Sequence, residues 1–391
     1  MFDIEMLPAA HGDCLVVTYG TKEEPHRILI DGGTHFTFPH LKHYIEQLPV
    51  DQRNFELLIV THIDEDHIGG VLPLLRDKEL GVSFGDIWFN AWRHLAPPRR
   101  TGFLGPEQGD LLGNLLSQRT DLPWNETFEG GTVVVPDAGA LPAFTLPGGM
   151  RLTLLSPRWE ELEDLSRSWS DKSFKKGRIP GDVSMLGGPA EGILELLGSH
   201  SQAALLAAQR FFPDNSAANG SSIAVLAEYE GTRALLAADA FAEVLLAGLQ
   251  RLPESRDSLR LEAFKLPHHG SQRNISEELL RAAPSQSYLV STNGNVFKHP
   301  DESAMARVLE YGTEGAKIFF NYDSETTRRV QALRRKGKSG RKNPLEYPKP
   351  GETGARVSLP IAKAKAAARK APGAARASTR KRAGPATSRR G

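Results

Sequence analysis

The chain has 391 residues, of which 40% are hydrophobic and 24% are charged, a composition typical of one large or two smaller globular α/β domains. It has no apolar run near the roughly 20 residues that a membrane span needs. No basic segment followed by an apolar one occurs near its start, so we expect no secretion signal and a cytoplasmic location. Cys14 is the only cysteine, which excludes an intrachain disulfide and a zinc–thiolate cluster.

The net charge of +1 conceals two oppositely charged parts. Residues 361–391, here called the basic tail, contain ten Lys or Arg and no acid, which leaves residues 1–360 with 38 basic and 47 acidic residues, a net of −9. The Ala/Pro/Ser/Gly-rich composition of the basic tail cannot bury a core and predicts disorder. The tail is then either a solvated segment or a tether that binds nucleic-acid phosphates without reading their sequence.

The first part of the chain predicts alternating strands and helices. The predicted strands are Cys14–Thr18, Ile28–Ile30, Leu57–Val60, Ile87–Phe89, Thr132–Val135 and Leu152–Leu155. The predicted helices are Pro39–Gln47 and Val71–Arg76. Residues 158–218 then change character and predict a helical insertion, with helices at Trp159–Leu165 and Ile193–Phe212.

Strands resume after this insertion and predict a second sheet. The predicted strands are Ser222–Glu228, Ala234–Ala237, Ala263–Leu266 and Ser287–Val290, with Lys317–Phe320 and Arg356–Leu359 closing the sheet. The predicted helices are Phe241–Leu252, Ile275–Ala283 and Glu302–Tyr311, and a mobile loop is predicted at Arg334–Lys342. Two groups of strands with interspersed helices indicate two sheets packed face to face with helices outside.

The densest cluster of metal-ligand side chains is the six-residue run from His62 to His67 (His-Ile-Asp-Glu-Asp-His). It directly follows the predicted strand Leu57–Val60, and four of its six residues are His or Asp, the usual protein ligands of divalent metals. A strand running into a helix here leaves His62 and Asp64 on the connecting loop. Asp66 and His67 then lie at the helix start, where unpaired N–H groups and the helix dipole favour carboxylates. The alternative is a polar turn with incidental histidines.

Three other predicted strands end in candidate ligands, and a polar segment at residues 215–222 precedes a fourth strand. Asp31 and Asp239 each follow an apolar strand, and His268 and His269 follow a third. An Asp after a strand is most often a cap or turn residue, whereas a His pair before Gly is more specific. If these loops converge at one sheet edge, they provide the ligands of a dinuclear metal site.

This set of motifs resembles the metallo-β-lactamase superfamily, and most closely the hydrolase domain of competence-type DNA-uptake channel proteins. The motifs are Gly12-Asp13, Asp31-Gly32-Gly33, Thr61 to His67, Asp239, Leu266 to Ser271, Asn293-Gly294-Asn295 and His299-Pro300. The resemblance covers residues 1–320 in the expected order. It implies a four-layer αββα sandwich, a hydrolase domain over residues 1–360 with a helical insertion at about 158–218, and the basic tail outside it.

The resemblance also implies two divalent metal ions, with zinc expected and manganese the alternative. The implied metal ligands are His62, Asp64, Asp66, His67, Asp239 and His269. His62 and Asp64 would hold one ion, and Asp66, His67 and His269 would hold the other. Asp239 would bridge the two ions. His268 is the alternative to His269 as a ligand.

Other residues are implied in catalysis and substrate binding. Asp66 and His268 are the implied catalytic residues, with His268 contacting substrate or transferring a proton. The implied substrate-binding residues are Asn219, Asn295 and His299. Asp31 would orient the ligand loop through hydrogen bonds. The other histidines outside the motifs are expected to be surface or locally bonded residues.

Two departures from the superfamily pattern bear on the metal. Asp64 stands where the superfamily usually has a second histidine, as in the competence-type branch. No histidine occupies the strand entrance where a third ligand of the first ion is often found, and Asn219 is the nearest candidate. An oxygen-rich first site favours a harder ion, which is why manganese is retained as an alternative to zinc.

The implied activity is hydrolysis by a metal-bound hydroxide. Two divalent ions sharing a water lower its pKa toward neutrality, and three carboxylates against two dications leave a site of charge +1 that suits an anionic phosphodiester. The substrate would be a phosphodiester, with DNA or RNA held through the basic tail. The alternatives are hydrolysis of a small carboxylic ester, thioester or lactone, and a non-catalytic binding or regulatory protein with a degenerate metal site. The sequence leaves the oligomeric state open.

Overall fold

Two β-sheets and the helices outside them organise the chain in the computed structural model, which describes residues 1–95, 107–175, 206–207, 209–253, 259–336, 343–361 and 391. The strands are β1 Phe2–Met6, β2 Leu15–Gly20, β3 Pro25–Ile30, β4 Asn54–Phe55, β5 Leu57–Ile59, β6 Ser83–Phe84, β7 Ile87–Trp88, β8 Ala143–Thr145, β9 Arg151–Ser156, β10 Ala224–Tyr229, β11 Thr232–Leu236, β12 Ala263–Lys265, β13 Ser287–Val290, β14 Lys317–Phe320, β15 Leu345–Glu346 and β16 Ala355–Ser358. The first sheet has the order β16-β1-β2-β3-β5-β7, the second has the order β15-β14-β13-β12-β11-β10-β9-β8, and β4 pairs with β6.

The α-helices of the described residues lie mainly between strands. They are α1 Phe38–Glu46, α2 Glu65–Ile68, α3 Val71–Arg76, α4 Trp92–Leu95, α5 Glu107–Gln118, α6 Trp159–Lys175, α7 Ala217–Gly220, α8 Ala242–Gln250, α9 Glu277–Ala282, α10 Glu302–Tyr311 and α11 Glu325–Lys336. None of those helices combines the length and the apolar character needed to cross a bilayer.

The alternation of side chains along the strands creates three core regions. In β3, Ile28 and Ile30 belong to the cluster between the two sheets, whereas Leu29 packs among the helices outside the first sheet. In β11, Leu236 faces the first sheet and Leu235 faces the outer helices of the second. This period of two buries both faces of each sheet. Each fully buried aliphatic side chain contributes about 1.5–3 kcal/mol of hydrophobic free energy.

Helices cover both outer faces of the sheet pair. Leu41 of α1 and Val71 of α3 pack against the first sheet, and Leu245 of α8, Leu279 of α9 and Met305 of α10 pack against the second. The order of layers is therefore helix, sheet, sheet, helix, which confirms the predicted four-layer αββα sandwich. In the expected insertion α6 and α7 are helical, whereas residues 176–205 and 208 and most of the basic tail, 362–390, lie outside the described residues.

Parallel strands place several loops at one edge of the molecule. In the first sheet β3, β5 and β7 run parallel, and in the second sheet β11 through β15 run parallel. The loops after β3, β5, β11, β12 and β13 therefore leave the carboxyl ends of their strands, the end at which α/β sheets commonly form sites. Backbone bonds join the two sheets there, from Ile223 N–H to the Thr61 carbonyl at 2.9 Å and from Asn293 N–H to the Ala10 carbonyl at 2.7 Å.

Two predicted strands are corrected by the structure. Thr132–Val135 is no strand, because the Asn90 side chain donates to the Val133 carbonyl at 2.8 Å and accepts from its N–H at 2.9 Å, replacing a strand partner. The segment predicted at Arg356–Leu359 is a strand, but it pairs antiparallel with β1 at the edge of the first sheet, not the second. β1 itself was absent from the prediction, so its free edge could not be foreseen.

Two predictions in irregular regions are also corrected. Residues 209–212 are not helical, although the sequence predicts a helix over Ile193–Phe212, and residues 193–205 and 208 of that range lie outside the described part. Residues 334–336 form the last turn of α11 where a mobile loop is predicted, and residues 337–342 are not among those described. The charge-rich segment 334–336 continues an amphipathic helix, which composition alone does not distinguish from a loop.

Candidate metal centre

The loops at the site edge are held in backbone conformations that non-glycine residues rarely adopt. Positive φ values occur at Asp31 (59°), Ala238 (48°), His268 (46°) and His269 (54°). Each of them follows a strand that ends at this edge, and such strain persists where surrounding contacts determine the conformation. The strained turns deliver Asp239, His268 and His269 to the same place from neighbouring strands.

A glycine brings the first loop against the helix that carries two candidate ligands. A Cβ at Gly12 would lie 1.6 Å from the carbonyl oxygen of Asp66, so no other residue fits there. The next residue, Asp13, donates its backbone N–H to that same carbonyl at 3.2 Å. The Gly12-Asp13 motif is therefore required for the close approach of the β1–β2 loop to α2.

Four histidine Nε2 atoms converge on one carboxylate oxygen. They lie around Asp239 Oδ2 at 3.4 Å for His67, 3.4 Å for His269, 3.8 Å for His268 and 4.0 Å for His62. All but His268 are fully buried as side chains, and Asp239 is 2% exposed. Asp239 therefore occupies the centre of the cluster, the position predicted for a bridging ligand.

The cluster divides into two candidate ligand sets that share Asp239. In one set, Asp66 Oδ2 lies 3.6 Å from His269 Nε2 and 4.0 Å from His67 Nε2, and the two imidazole Nε2 atoms are 3.3 Å apart. In the other, Asp64 Oδ2 lies 3.8 Å from His62 Nε2. Asp64 is the residue before α2, but its side chain makes no capping hydrogen bond to that helix.

Hydrogen bonds at the Nδ1 atoms orient three of the rings. His67 Nδ1 bonds to Asp31 Oδ2 at 2.8 Å, and Asp31 also accepts from the Thr61 N–H at 2.8 Å and hydroxyl at 2.7 Å. His269 Nδ1 donates to the Ser291 carbonyl at 2.9 Å. His62 Nδ1 lies 3.0 Å from the Thr61 hydroxyl. These contacts direct Nε2 of each ring toward Asp239, an arrangement common to metal-binding histidines.

A buried ion pair lies behind His269. Lys265, with a fully buried side chain, forms an ion pair with Asp13 Oδ2 and donates to the Ala238 carbonyl at 3.3 Å, and its Nζ lies 4.0 Å from Asp239 Oδ1. Asp13 Oδ1 lies 3.4 Å from His269 Nδ1. Asp13 belongs with His67, Asp239 and His269 to a group whose ligand atoms lie within 4.8 Å of one another. We nevertheless favour Asp66 as the ligand, because Asp13 meets His269 at Nδ1, the nitrogen that already donates to Ser291.

His268 is held by a separate polar network. Its Nδ1 lies 3.0 Å from Asn274 Oδ1, 3.3 Å from Asp214 Oδ2 and 3.3 Å from Asn219 Nδ2. Asp214 accepts in turn from Asn219 Nδ2 at 2.7 Å and from Asn274 Nδ2 at 3.2 Å. The side chain of His268 is 20% exposed, so its ring is fixed from behind while part of it reaches solvent.

The pKa values reflect burial and the density of charge. Burial, followed by the neighbouring His67, lowers the pKa of His62 to about 3, so this ring is neutral at pH 7. Burial would also lower the pKa values of His67 and His269, but Asp239 and the other carboxylates outweigh it and raise both well above the usual value. Burial would raise the pKa of Asp239, yet His269 and His67 hold it well below its usual range.

Two orphaned atoms show that this set fits a cation. His62 Nε2 and Asp239 Oδ1 are buried and have no hydrogen-bond partner among the described residues. Each such atom costs about 1–3 kcal/mol of desolvation. Both belong to residue types that bind divalent metals, and the neutral His62 ring presents a lone pair. The residues present therefore fit a metal centre.

The remaining candidate residues lie around this cluster. His299 packs against His268 with ring centroids 5.2 Å apart, and Asn219 is buried against Asp214 and His268. Asn295 is exposed, and its carbonyl accepts from Lys298 at 3.1 Å. Substrate contact by these three residues stays a prediction.

Several residues of the site were not assigned from the sequence. They are Asp13, Asp214, Lys265, Asn274 and Ser291. The sequence does carry a signal for Lys265, which is a lysine inside an otherwise apolar strand and therefore needs a buried partner. Nothing local identifies that partner as Asp13, because Asp13 lies in the β1–β2 loop of the first sheet and Lys265 lies in β12 of the second.

Comparison with known proteins agrees with this architecture. Residues 10–136 match the family model of the metallo-beta-lactamase superfamily. No curated protein sequence matches the chain. The family match covers part of the chain, and the mixed sheets with outer helices are consistent with the metallo-β-lactamase fold.

Solved structures show only distant likeness. A metallo-beta-lactamase HARLDQ-motif mutant from Cronobacter sakazakii is 12% identical, with 66% of this chain and 70% of that chain covered and a TM-score of 0.28. CmlA, a diiron beta-hydroxylase from Streptomyces venezuelae, is 13% identical over 91% of this chain, with a TM-score of 0.37, and the match spans 54% of the CmlA chain. Likeness at this level says nothing about the chemistry of the site. None of these matches is to a competence-type protein.

Proposed function

We propose that this chain is a metal-dependent hydrolase that acts on phosphodiesters. The observation that carries the proposal is the convergence of four histidine Nε2 atoms within 4.0 Å of Asp239 Oδ2. This many imidazoles around one buried carboxylate is costly without a cation, since several are fully buried and one Nε2 is orphaned.

The two candidate ligand sets define where metals would bind. Asp66, His67 and His269 would hold one ion, His62 and Asp64 the other, and Asp239 would bridge them. Divalent cations in these sets would supply Lewis acidity and a nucleophile at neutral pH. Zinc suits the imidazole-rich set, and manganese is the alternative for the set with more oxygen ligands.

The chain's own residues then bind and orient the substrate. His268, held at Nδ1 by Asn274 and Asp214, directs Nε2 toward Asp239 and presents part of its ring to solvent. We assign it contact with the substrate oxygen or transfer of a proton there. Three carboxylates in the two ligand sets against two dications leave a charge of +1, which favours an anionic phosphodiester over a neutral ester.

Asp66→Ala tests the catalytic assignment. Asp66 lies in the first turn of α2 and its Oδ2 faces His67 and His269, so the fold should persist while turnover of bis(4-nitrophenyl) phosphate is abolished. Asp51→Ala is the matched control, because Asp51 is exposed and precedes β5, at the opposite end of that strand from the ligand loop. Unchanged turnover by a metal-saturated Asp66→Ala protein contradicts the dinuclear assignment.

Metal analysis separates the alternatives. The absence of a histidine at Asn219 favours a degenerate site in a binding or regulatory protein, and that reading predicts a metal-free, inert protein. We expect instead two equivalents of metal and diester turnover that a chelator abolishes. Turnover of carboxylic esters or lactones without turnover of phosphodiesters would support the small-ester alternative.

A further inference from the structure

An aromatic side chain at the mouth of the metal centre has no part in the proposed chemistry so far. Phe297 lies in the loop after β13 and is 55% exposed, next to Val296, which is 48% exposed. Single exposed apolar residues are common on protein surfaces, so exposure alone does not indicate a site. The surroundings of Phe297 are what distinguish it.

Two successive ring contacts link Phe297 to His268 of the candidate metal centre. Phe297 stacks on His299 with centroids 6.2 Å apart and planes 28° apart, and His299 packs against His268 at 5.2 Å. His268 Nε2 in turn lies 3.8 Å from Asp239 Oδ2. The exposed ring is therefore two ring contacts away from a residue that adjoins the central carboxylate.

A second contact fixes the orientation of the Phe297 ring. His11 packs against it in a T-shaped arrangement, with centroids 5.6 Å apart and planes 73° apart. Phe297 is thus held by a stacked contact with His299 and a T-shaped contact with His11. Beside these two contacts, 55% of Phe297 stays exposed within the described part of the chain.

The loop that carries Phe297 is itself pinned at both ends. A Cβ at Gly294 (φ 73°) would lie 1.9 Å from the Thr326 hydroxyl, and the Asn293 N–H donates to the Ala10 carbonyl at 2.7 Å. At the other end Pro300 packs against Gly270, directly after His269. Lys298 adopts a positive φ of 61°, a strained conformation that sets the direction of the turn.

We propose that Phe297 is a stacking platform for a nucleobase, and that the site takes nucleoside phosphodiesters. A rigid aromatic face beside a site for an anionic diester matches the two parts of a nucleotide, its planar base and its phosphate. Stacking on an aromatic residue is the sequence-tolerant way in which proteins hold single-stranded nucleic acid and nucleotides. This inference rests on the proposed function and adds a substrate class to it.

The binding test uses the metal-loaded full-length protein and two probes. Thymidine 5′-monophosphate carries base and phosphate, and inorganic phosphate carries only the anion. By calorimetry, Phe297→Ala should weaken thymidine 5′-monophosphate binding about 5- to 150-fold, the range found for loss of a base–aromatic stack, and leave phosphate binding unchanged. Phe297→Trp should restore the nucleotide affinity, since it restores the aromatic face.

Phe36→Ala is the matched control. Phe36 is an even more exposed phenylalanine, at 88%, and the ring it contacts is that of its neighbour His35. We expect no change in either affinity. Equal nucleotide affinity of wild type and Phe297→Ala, or an equal loss in Phe36→Ala, overturns the platform.

A turnover measurement separates this inference from the proposed function. Thymidine 5′-(4-nitrophenyl phosphate) and methyl 4-nitrophenyl phosphate share a leaving group and differ in the base. Phe297→Ala should raise KM for the nucleoside diester by a factor similar to its loss of nucleotide affinity, and should leave KM for methyl 4-nitrophenyl phosphate unchanged. If a chelator abolishes turnover of both diesters and Phe297→Ala changes neither KM, the platform is contradicted and the hydrolase proposal is supported. If neither diester is turned over but nucleotide binding still depends on Phe297, the hydrolase proposal is contradicted and the platform is supported.

Discussion

Replacing Lys265 by Met should destabilise the protein severely, because the substitution leaves the buried carboxylate of Asp13 without its ion-pair partner. Lys265 has no exposed side-chain surface, and Asp13, its ion-pair partner, is 1% exposed. Methionine keeps most of the volume of the lysine stem, so the loss is chiefly electrostatic. Removing one partner of a buried ion pair costs about 3–5 kcal/mol, a large part of the 5–15 kcal/mol that stabilises a typical domain.

The measurement is urea denaturation of the metal-free protein, with the surface pair Lys42–Asp77 as the control. That pair is closed at 2.7 Å, but the Lys42 side chain is 39% exposed, so Lys42→Met should change the midpoint little. The double variant Asp13→Asn/Lys265→Met should recover part of the loss, since it removes the stranded charge. A Lys265→Met protein as stable as wild type would refute the stabilising role of the buried Lys265–Asp13 ion pair.

The same pair has a defined pH dependence. Burial would raise the pKa of Asp13, but Lys265 and then His269 outweigh it, so the folded pKa lies below the usual value. A lowered folded pKa stabilises the fold above the unfolded pKa of about 3.9, and this contribution is lost as the pH falls through the folded pKa. Replacing Lys265 removes the largest contribution that lowers the pKa of Asp13, so the folded pKa rises. The loss of stability in Lys265→Met should therefore narrow as the pH is lowered through this raised pKa.

Two further outcomes concern the metals and the basic tail. Zinc should raise the Tm of the chelator-treated protein, because zinc at 1,000 times its Kd adds about 4 kcal/mol to the free energy of unfolding. Zinc binding should also release protons at pH 7, because the pKa values of His67 and His269 are raised in the metal-free form. Calorimetry in buffers of different ionisation enthalpy measures that release, and its absence contradicts the ligand assignment. Truncation after Pro360 should leave kcat on a small phosphodiester unchanged and weaken DNA or RNA binding at low salt, as measured by fluorescence anisotropy. Equal nucleic-acid affinity of both forms refutes the tether.

The parts of the site that were predictable are those carried by short contiguous motifs. His62 to His67 and His268-His269 each place several ligand types after one apolar strand, so a few residues reveal both the strand end and its chemistry. The residues that orient those ligands were harder to find. Asp214 lies only five residues before Asn219, but a single Asp in a loop is usually a turn residue, and its role depends on meeting His268 across the fold.

The same distinction holds for the fold. The sequence pattern predicted β13, α3 and α10 to the residue: β13 is a short run buried at every position, and the two helices follow from the spacing of their apolar residues. It did not predict which sheet the final strand would join. Pairing β16 with β1 or with an edge of the second sheet satisfies the same alternation, and the choice depends on which edge is free in three dimensions.

The buried charges of the candidate metal centre come from both sheets. Asp66 lies in α2, after β5 of the first sheet, and Asp239 lies in the loop after β11 of the second. Together with Asp13 and Asp31 they are carboxylates that repel one another in a medium of low dielectric constant. The Lys265 ammonium is bonded to Asp13 and to the Ala238 carbonyl, and its Nζ lies 4.0 Å from Asp239 Oδ1. Lys265 therefore compensates the negative charge of Asp13 more than that of the other carboxylates. On the other side the raised pKa values of His67 and His269 mean that protons supply the positive charge when no metal does. The proposed ligands of a cation come from both halves of the fold, so we expect cation binding to stabilise the fold as well as prepare the site.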